Sequence, residues 1–331
     1  MTKPKVLFLF YQTSRKANGG VNSLMEIILG MQQVIPHVVT NRESSATKQL
    51  RAKGIPVDLL PWPEGGRVQR VIGIMQSIRL LQRYLKHHSV EVAHVNDIQT
   101  LTFSAWVLGK NKIPVVFNIR DVLPPERKYS FIWRLVNRCA RVVVLSHAMK
   151  EALINRLPLN NKRQWKDRFH VIYSIVDQER FFPRPNRQEK ALLYAATFND
   201  KKNQKGFIEQ ALPKLASEGY FVHFTGDTDN PYGHQCMKMV NDLGLQNNVA
   251  FHGFQADMQT WYNRVRLTLV PTRREGLARC MIESLACGTP VVSFDVPSAH
   301  EILTEYESGV VLNQGNYTGM VEAIVALDMN E

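Results

Sequence analysis

The chain has no apolar run approaching the roughly 18 to 20 residues that a membrane-spanning helix needs. Its start, MTKPKVLFLFYQTS, enters a strand pattern without the charged, apolar and cleavage regions of a signal peptide, so a cytoplasmic location is expected. Cysteine is scarce. Cys139, Cys236, Cys280 and Cys287 form no CxxC pair and no Cys/His set with zinc spacing, which argues for packed free thiols rather than a disulfide framework or structural metal. No short fixed-period repeat or low-complexity tract is present. Helix-turn-helix signatures, zinc modules and RNA-binding aromatic motifs are also missing, so nucleic acid is not an expected partner.

What is present points to two packed cores. The length is 331 residues and 44% are apolar, ample for about two domains. Charge is uneven: residues 1–180 hold 28 Lys and Arg against 12 Asp and Glu (+16), whereas residues 181–331 hold 13 against 17 (−4). The basic partner surface therefore belongs to the first half. Within it, Arg67 to His88 carries Arg67, Arg70, Arg79, Arg83 and Lys86 and no acid, with Val68, Val71, Ile72, Met75, Ile78, Leu81 and Leu85 at helical spacing. Such a helix either rests on an anionic membrane or packs its apolar stripe on the core and solvates its basic face.

Strand and helix patterns alternate along both halves. Strands are expected at Lys5–Tyr11, Val90–Val95, Val115–Ile119 and Arg141–Ser146, with a helix over Val21–Gln33. The second half repeats the scheme at Ala191–Ala196, Tyr220–Thr225, Val249–Phe251, Leu267–Val270 and Val291–Phe294. This alternation predicts an α/β fold of two Rossmann-like, doubly wound domains, 1–182 and 183–331. The joint is expected near Phe181-Phe182-Pro183-Arg184-Pro185-Asn186, where prolines and polar residues separate the halves.

The densest signal is RREGLARCMIESLACGTPVVSF. An apolar stripe at Leu277, Met281 and Leu285 reads as a helix stopped at Gly288, followed by a strand. If Glu275 and Glu283 share one helix edge, eight steps separate them by about 12 Å, the scale of a nucleotide sugar. One carboxylate could then accept sugar hydroxyls and the other ribose hydroxyls, with a diphosphate near helix-start N–H groups. The competing reading is a solvated ladder of exposed ion pairs, Glu275–Arg279–Glu283.

Pro271-Thr272-Arg273-Arg274-Glu275-Gly276, together with Glu283 and Ala286-Cys287-Gly288-Thr289-Pro290-Val291-Val292, resembles the donor-binding segment of the retaining family 4 glycosyltransferases. That resemblance implies the GT-B fold, two Rossmann-like domains facing across a cleft. It further implies that Glu275 contacts the donor sugar, that Glu283 contacts the ribose and that the amides of Gly276, Leu277 and Ala278 cradle the sugar side. Val249-Ala250-Phe251-His252-Gly253-Phe254 also matches, and places Gly253 by the base pocket.

Five further places bear on the reading. Gly19 and Gly20 open a helix after the first strand, either as a plain turn or where the family sets its Gly-Gly loop against donor phosphate or acceptor. Lys205 matches the family's lysine before the helix glycine and is expected on the diphosphate. Thr197 stands where the family has an arginine, leaving Lys201 and Lys202 as substitutes, although loop lysines are commonly just solvated. Asn118-Ile119-Arg120-Asp121 replaces a Thr-x-His-Asp-like segment: Arg120 could hold a departing phosphate or an acceptor anion but not act as a base, or could simply pair with Asp121. His94, Asn96 and Asp97 end the preceding strand and either line the acceptor cleft or sit at the core edge. Asp227-Thr228-Asp229 resembles a GT-A metal pair, but its position after a strand and Gly226 argues against it, so no metal or cofactor is expected.

The expectation is a retaining hexosyltransferase, metal-independent, using a UDP- or GDP-linked sugar and a glycan, lipid-linked or small-molecule acceptor, in cell-surface polysaccharide biosynthesis. It would work in the cytoplasm or peripherally on the inner face of the membrane. The alternative is a non-catalytic or partner-dependent GT-B-like subunit that binds nucleotide sugar. The family pattern continues past a helix such as Tyr317–Leu327, so either this chain is shortened or a second copy or a membrane completes the cleft.

Overall fold

The computed structural model describes residues 2–12, 19–60, 62, 67–120, 129–156, 165–185, 190–304 and 308–329. The chain divides into two compact units, Met1–Ile175 and Val176–Glu331. The division falls a few residues before the expected joint because Phe181 is buried with Ala191, Leu193, Tyr262 and Cys287 of the second unit. The Asn263 side chain also donates to the Phe182 carbonyl at 3.1 Å.

The first unit is a seven-stranded sheet in the order β3-β2-β1-β4-β5-β6-β7. Its strands are β1 (Lys5–Phe10), β2 (Ile35–Thr40), β3 (Val57–Leu59), β4 (Val92–Val95), β5 (Val115–Ile119), β6 (Arg141–Val144) and β7 (Phe169–Val171). Every pairing is parallel. Val6 to Phe10 are buried, as a parallel strand covered by helices on both faces requires. The edge strands β3 and β7 and the inner strand β2 were not legible in the sequence: β3 and β7 are three residues long, and β2 carries Pro36 and His37.

The second unit repeats the plan with six parallel strands ordered β10-β9-β8-β11-β12-β13. They are β8 (Ala191–Ala195), β9 (Phe221–Thr225), β10 (Val249–Phe251), β11 (Leu267–Val270), β12 (Val291–Phe294) and β13 (Gly309–Leu312). Its largest core gathers Tyr194, Phe198, Phe207, Phe224, Phe294 and Met320. In each sheet the chain winds outward one way, then returns to the other side of its first strand. The topological switch points therefore lie between β1 and β4 and between β8 and β11, and in such sheets ligands bind outside the carboxyl ends of the strands at that point.

The predicted helix at Val21–Gln33 spans Gly19–Gly30, and the basic one spans Arg67–His87. The basic helix buries only part of its expected apolar stripe: Leu81 is fully buried and Ile78 and Leu85 are half-buried. Its inward side is Ser77, Leu81 and Tyr84, while Val71, Ile72 and Met75 are 59%, 51% and 53% exposed.

Candidate functional site

In the second unit, the loops after β8 and β11 meet at the switch point and are laced together. The Asn203 side chain donates to the Pro271 carbonyl at 2.9 Å and to Tyr317 Oη at 2.8 Å, and accepts from Arg273 Nε at 3.1 Å. The Lys201 carbonyl accepts from Arg273 N and from the Thr272 hydroxyl, each at 3.0 Å. Asn199 caps the short 3-10 turn Asp200–Lys202 by accepting from Lys202 N at 3.1 Å, which fixes the direction in which both lysines leave the backbone.

Both lysines end on one carboxylate. Lys201 Nζ lies 3.0 Å from Glu275 Oε1, and Lys202 Nζ donates to Oε2. The Glu275 side chain is only 12% exposed. Burial pushes its carboxyl up, but the attraction and hydrogen bonds of Lys202 and Lys201 outweigh that and hold it below the usual carboxylate range. A buried anion flanked by two ammonium groups in a strand-end loop can exchange partners with a polyanionic ligand.

Glu275 is not on a helix edge, contrary to the expectation. The helix begins at Arg279, with Ala278 as its N-cap and no side-chain cap, so the 12 Å spacing derived from a continuous helix does not apply. Gly276, Leu277 and Ala278 are buried and lead into that start. Glu283 lies within the helix Arg279–Ala286, where Arg279 Nε and Nη2 both reach its Oε1 at 2.9 Å and Tyr262 donates to Oε2 at 2.9 Å. Arg279 and Glu283 are 9% and 12% exposed, and Glu275 turns to the lysines, so no solvated three-residue ladder forms. Ser284 anchors the helix through Thr268 Oγ1 and the Thr289 carbonyl, both at 2.8 Å, and Gly288, at φ +70°, reverses the chain after Cys287. Tyr262 was missed in the sequence because nothing local marks it as the partner of a glutamate 21 residues away.

Lys205 faces elsewhere: its ammonium reaches Gln235 Oε1 and sits 4.6 Å from the Tyr232 ring centre, both on the helix Pro231–Asp242. Thr197 accepts from the Asn199 side chain at 3.2 Å. Gly253 accepts through its carbonyl from Gly226 N at 2.8 Å, closing the ends of β9 and β10 together. Gly226 has φ +141°, and a Cβ there would lie 1.9 Å from the Ala196 carbonyl oxygen, so only glycine lets the β8 and β9 ends approach this closely. Asp227 accepts from Asp229 N, and Asn230 caps the helix that follows. Among the described residues no group of three or more His, Cys, Asp or Glu side chains could hold a metal ion.

In the first unit, the β1 and β4 ends are tied by Asp97. It caps the helix Ile98–Lys110, accepting from Thr100 N at 2.7 Å, while its other oxygen accepts from Tyr11 N at 2.7 Å. Burial raises its carboxyl above the usual range against those hydrogen bonds. His94 is buried against Phe8 at 5.3 Å between ring centres, and burial, followed by the Arg120 charge, lowers it to about 4. It is therefore a neutral, packed imidazole. Asn118 donates to Asn96 at 3.4 Å, and Arg120 donates to Ser174 Oγ at 3.3 Å. Gly19 and Gly20 form the first positions of their helix. Asp121 lies outside the described residues.

Two parallel-sheet α/β units with these strand orders, and donor-type groups at the second switch point, define a GT-B protein. Residues 17–180 match the family model described as Glycosyltransferase Family 4, and residues 189–330 match that described as Glycosyl transferases group 1. The chain belongs to the family 4 type of GT-B glycosyltransferases. It is 27% identical over 206 residues to the O-antigen chain mannosyltransferase RfbU of Salmonella typhimurium, covering 60% of this chain and 56% of that protein. To the lipopolysaccharide core biosynthesis mannosyltransferase LpsB of Rhizobium meliloti it is 28% identical over 175 residues, covering 47% and 49%. The chain thus spans about half the length of these curated relatives. Its fold is that of Anabaena HepE, solved in complex with UDP and glucose, with a TM-score of 0.79, 19% identity, and coverage of 98% of this chain and 90% of that one.

Proposed function

We propose that the protein is a retaining glycosyltransferase that moves a hexose-type sugar from a UDP- or GDP-linked donor to a glycan or lipid-linked acceptor, in cell-surface polysaccharide biosynthesis. It works without a metal, at the inner face of the membrane. The observation that carries this reading is the buried Glu275 carboxylate gripped by Lys201 and Lys202 at the β8/β11 switch point. Family membership and the names of RfbU and LpsB support the polysaccharide setting.

On this reading the donor diphosphate draws Lys201 and Lys202 onto its oxygens and releases Glu275 to accept sugar hydroxyls. Lys201 and Lys202 thereby take the role that the family pattern gives to Lys205 and the missing arginine at Thr197. Glu283 keeps Arg279 and Tyr262 and accepts ribose hydroxyls with its remaining lone pairs. The Gly276–Ala278 amides face the sugar side, and Gly253 supports the base. Departure of the diphosphate leaves an oxocarbenium-like centre, so neutralising the leaving group carries most of the barrier reduction. Cys280, electrostatically close to both glutamates, is pushed up to about 12 by burial and stays protonated, which disfavours it as a nucleophile. Arg120, Asn96 and the Gly19–Gly20 turn serve acceptor or phosphate.

Calorimetric titration with a panel of nucleoside diphosphates and nucleotide sugars, with sugar release followed in the same samples, tests the proposal. Micromolar binding of one diphosphate with slow release of its sugar is expected. Binding without release even when acceptor glycans are supplied would favour a non-catalytic nucleotide-sugar-binding subunit, and no binding at all would refute a donor site.

A further inference from the structure

The outward face of the helix Arg67–His87 combines two features that the sequence pattern alone did not align. Taking about 100° per residue, Val71, Ile72, Met75, Arg79, Arg83 and Lys86 fall within an arc of roughly 120°. Ser77, Leu81 and Tyr84 occupy the opposite, buried arc. All six outward residues are exposed. Along the axis they segregate: three apolar side chains come first, and three cations follow over roughly 10 Å. No acid occurs anywhere from Arg67 to Val90.

We propose that this face is a docking surface for an anionic lipid bilayer, with Val71, Ile72 and Met75 entering the boundary between headgroups and acyl chains and Arg79, Arg83 and Lys86 resting on lipid phosphates. Charge selects the occupant. Residues 1–180 carry +16, so a negative surface attracts this half, whereas a second copy would bring the same basic face against itself. The apolar end explains why the occupant is a bilayer rather than a dispersed polyanion: three large side chains on one stripe lose water only where a continuous apolar phase receives them. No helix among the described residues is long and apolar enough to cross a membrane, so the helix lies in the interface plane. The inference deepens the membrane placement proposed above, but its test needs neither donor nor acceptor.

Sedimentation with vesicles of phosphatidylcholine alone and of phosphatidylcholine with phosphatidylglycerol tests it on the full chain. Binding is expected only to the anionic vesicles. Each cation near such a surface is worth roughly fivefold in partitioning, so Arg79→Ala/Arg83→Ala/Lys86→Ala should lose on the order of a hundredfold at physiological salt. Val71→Ser/Ile72→Ser/Met75→Ser should abolish the fraction of binding that survives high salt. Both variants should keep the wild-type circular dichroism and nucleotide affinity, which separates this inference from the donor-site reading. Equal binding to neutral vesicles, retention by both variants, or a wild-type dimer that the apolar variant dissociates without any vesicle binding would overturn it.

Discussion

Tyr262 donates its hydroxyl to Glu283 Oε2 at 2.9 Å, on the carboxylate oxygen opposite the one Arg279 holds. The arrangement fixes the glutamate between two helices before any ligand arrives. Glu283→Ala should weaken nucleoside diphosphate binding by about 1–3 kcal/mol, since bound hydroxyls lose their acceptor. Tyr262→Phe should weaken it less, because Arg279 still orients the carboxylate. Titration calorimetry checks both, and unchanged affinity in Glu283→Ala would remove the ribose assignment.

Replacing both Lys201 and Lys202 by alanine leaves Glu275 buried without its cations. The carboxyl should then rise above the usual range, since burial is its largest single influence and nothing opposes it. Diphosphate affinity should fall at least tenfold in this variant and much less in Lys205→Ala, whose ammonium is occupied on Gln235 and Tyr232. The reverse order of effects would return the phosphate role to Lys205.

Glu275→Gln keeps the shape and removes the charge. Turnover should drop by one to two orders of magnitude, the scale of one transition-state hydrogen bond to a charged group, with nucleoside diphosphate affinity unchanged or improved because the lysines are freed. Equal turnover would place the sugar elsewhere.

His94 predicts a pH dependence of stability. Its value in the fold is lowered to about 4, so between there and the ordinary 6.5 the unfolded chain binds the extra proton. Stability from this group is full above pH 6.5 and is lost as pH falls toward 4, on the order of 3 kcal/mol at about 1.4 kcal/mol per pH unit. Urea unfolding of the wild type and His94→Gln at pH 7 and 4.5 should show a smaller acid loss in the variant. His223, also lowered to about 4 by burial and His252, contributes to both proteins alike.

The helix Tyr317–Met329 is fastened by Asp328, which accepts from Arg266 Nε at 2.9 Å and from the Tyr220 hydroxyl at 3.0 Å. Asp328→Ala should lower unfolding free energy by about 1–3 kcal/mol, as two half-buried donors lose their acceptor. A melting temperature equal to the wild type would show that the pair is spent on solvation instead.

The sequence by itself determined what local patterns encode. Apolar runs such as Val6 to Phe10 and Val291 to Phe294 form strands whatever surrounds them, and their alternation with helices forces parallel sheets. Motif likeness singled out Glu275 and Glu283 as candidate site residues, and the place of Gly288 after a helix marked it as the stop that its φ of +70° makes it. Tertiary structure alone decided the partners. Lys201 and Lys202 meet Glu275 across 74 and 73 residues, and only the β8–β11 adjacency brings their loops together. The same holds for Asp97, which reads as a polar site residue but becomes a brace between β1 and β4. On the basic helix, periodicity located the apolar side chains, but which arc faces the sheet depends on what packs there: Ser77, Leu81 and Tyr84 fit inward, leaving Val71, Ile72 and Met75 in water. A local pattern sets the shape of an element; side-chain pairing is set by strand order, which no single segment contains.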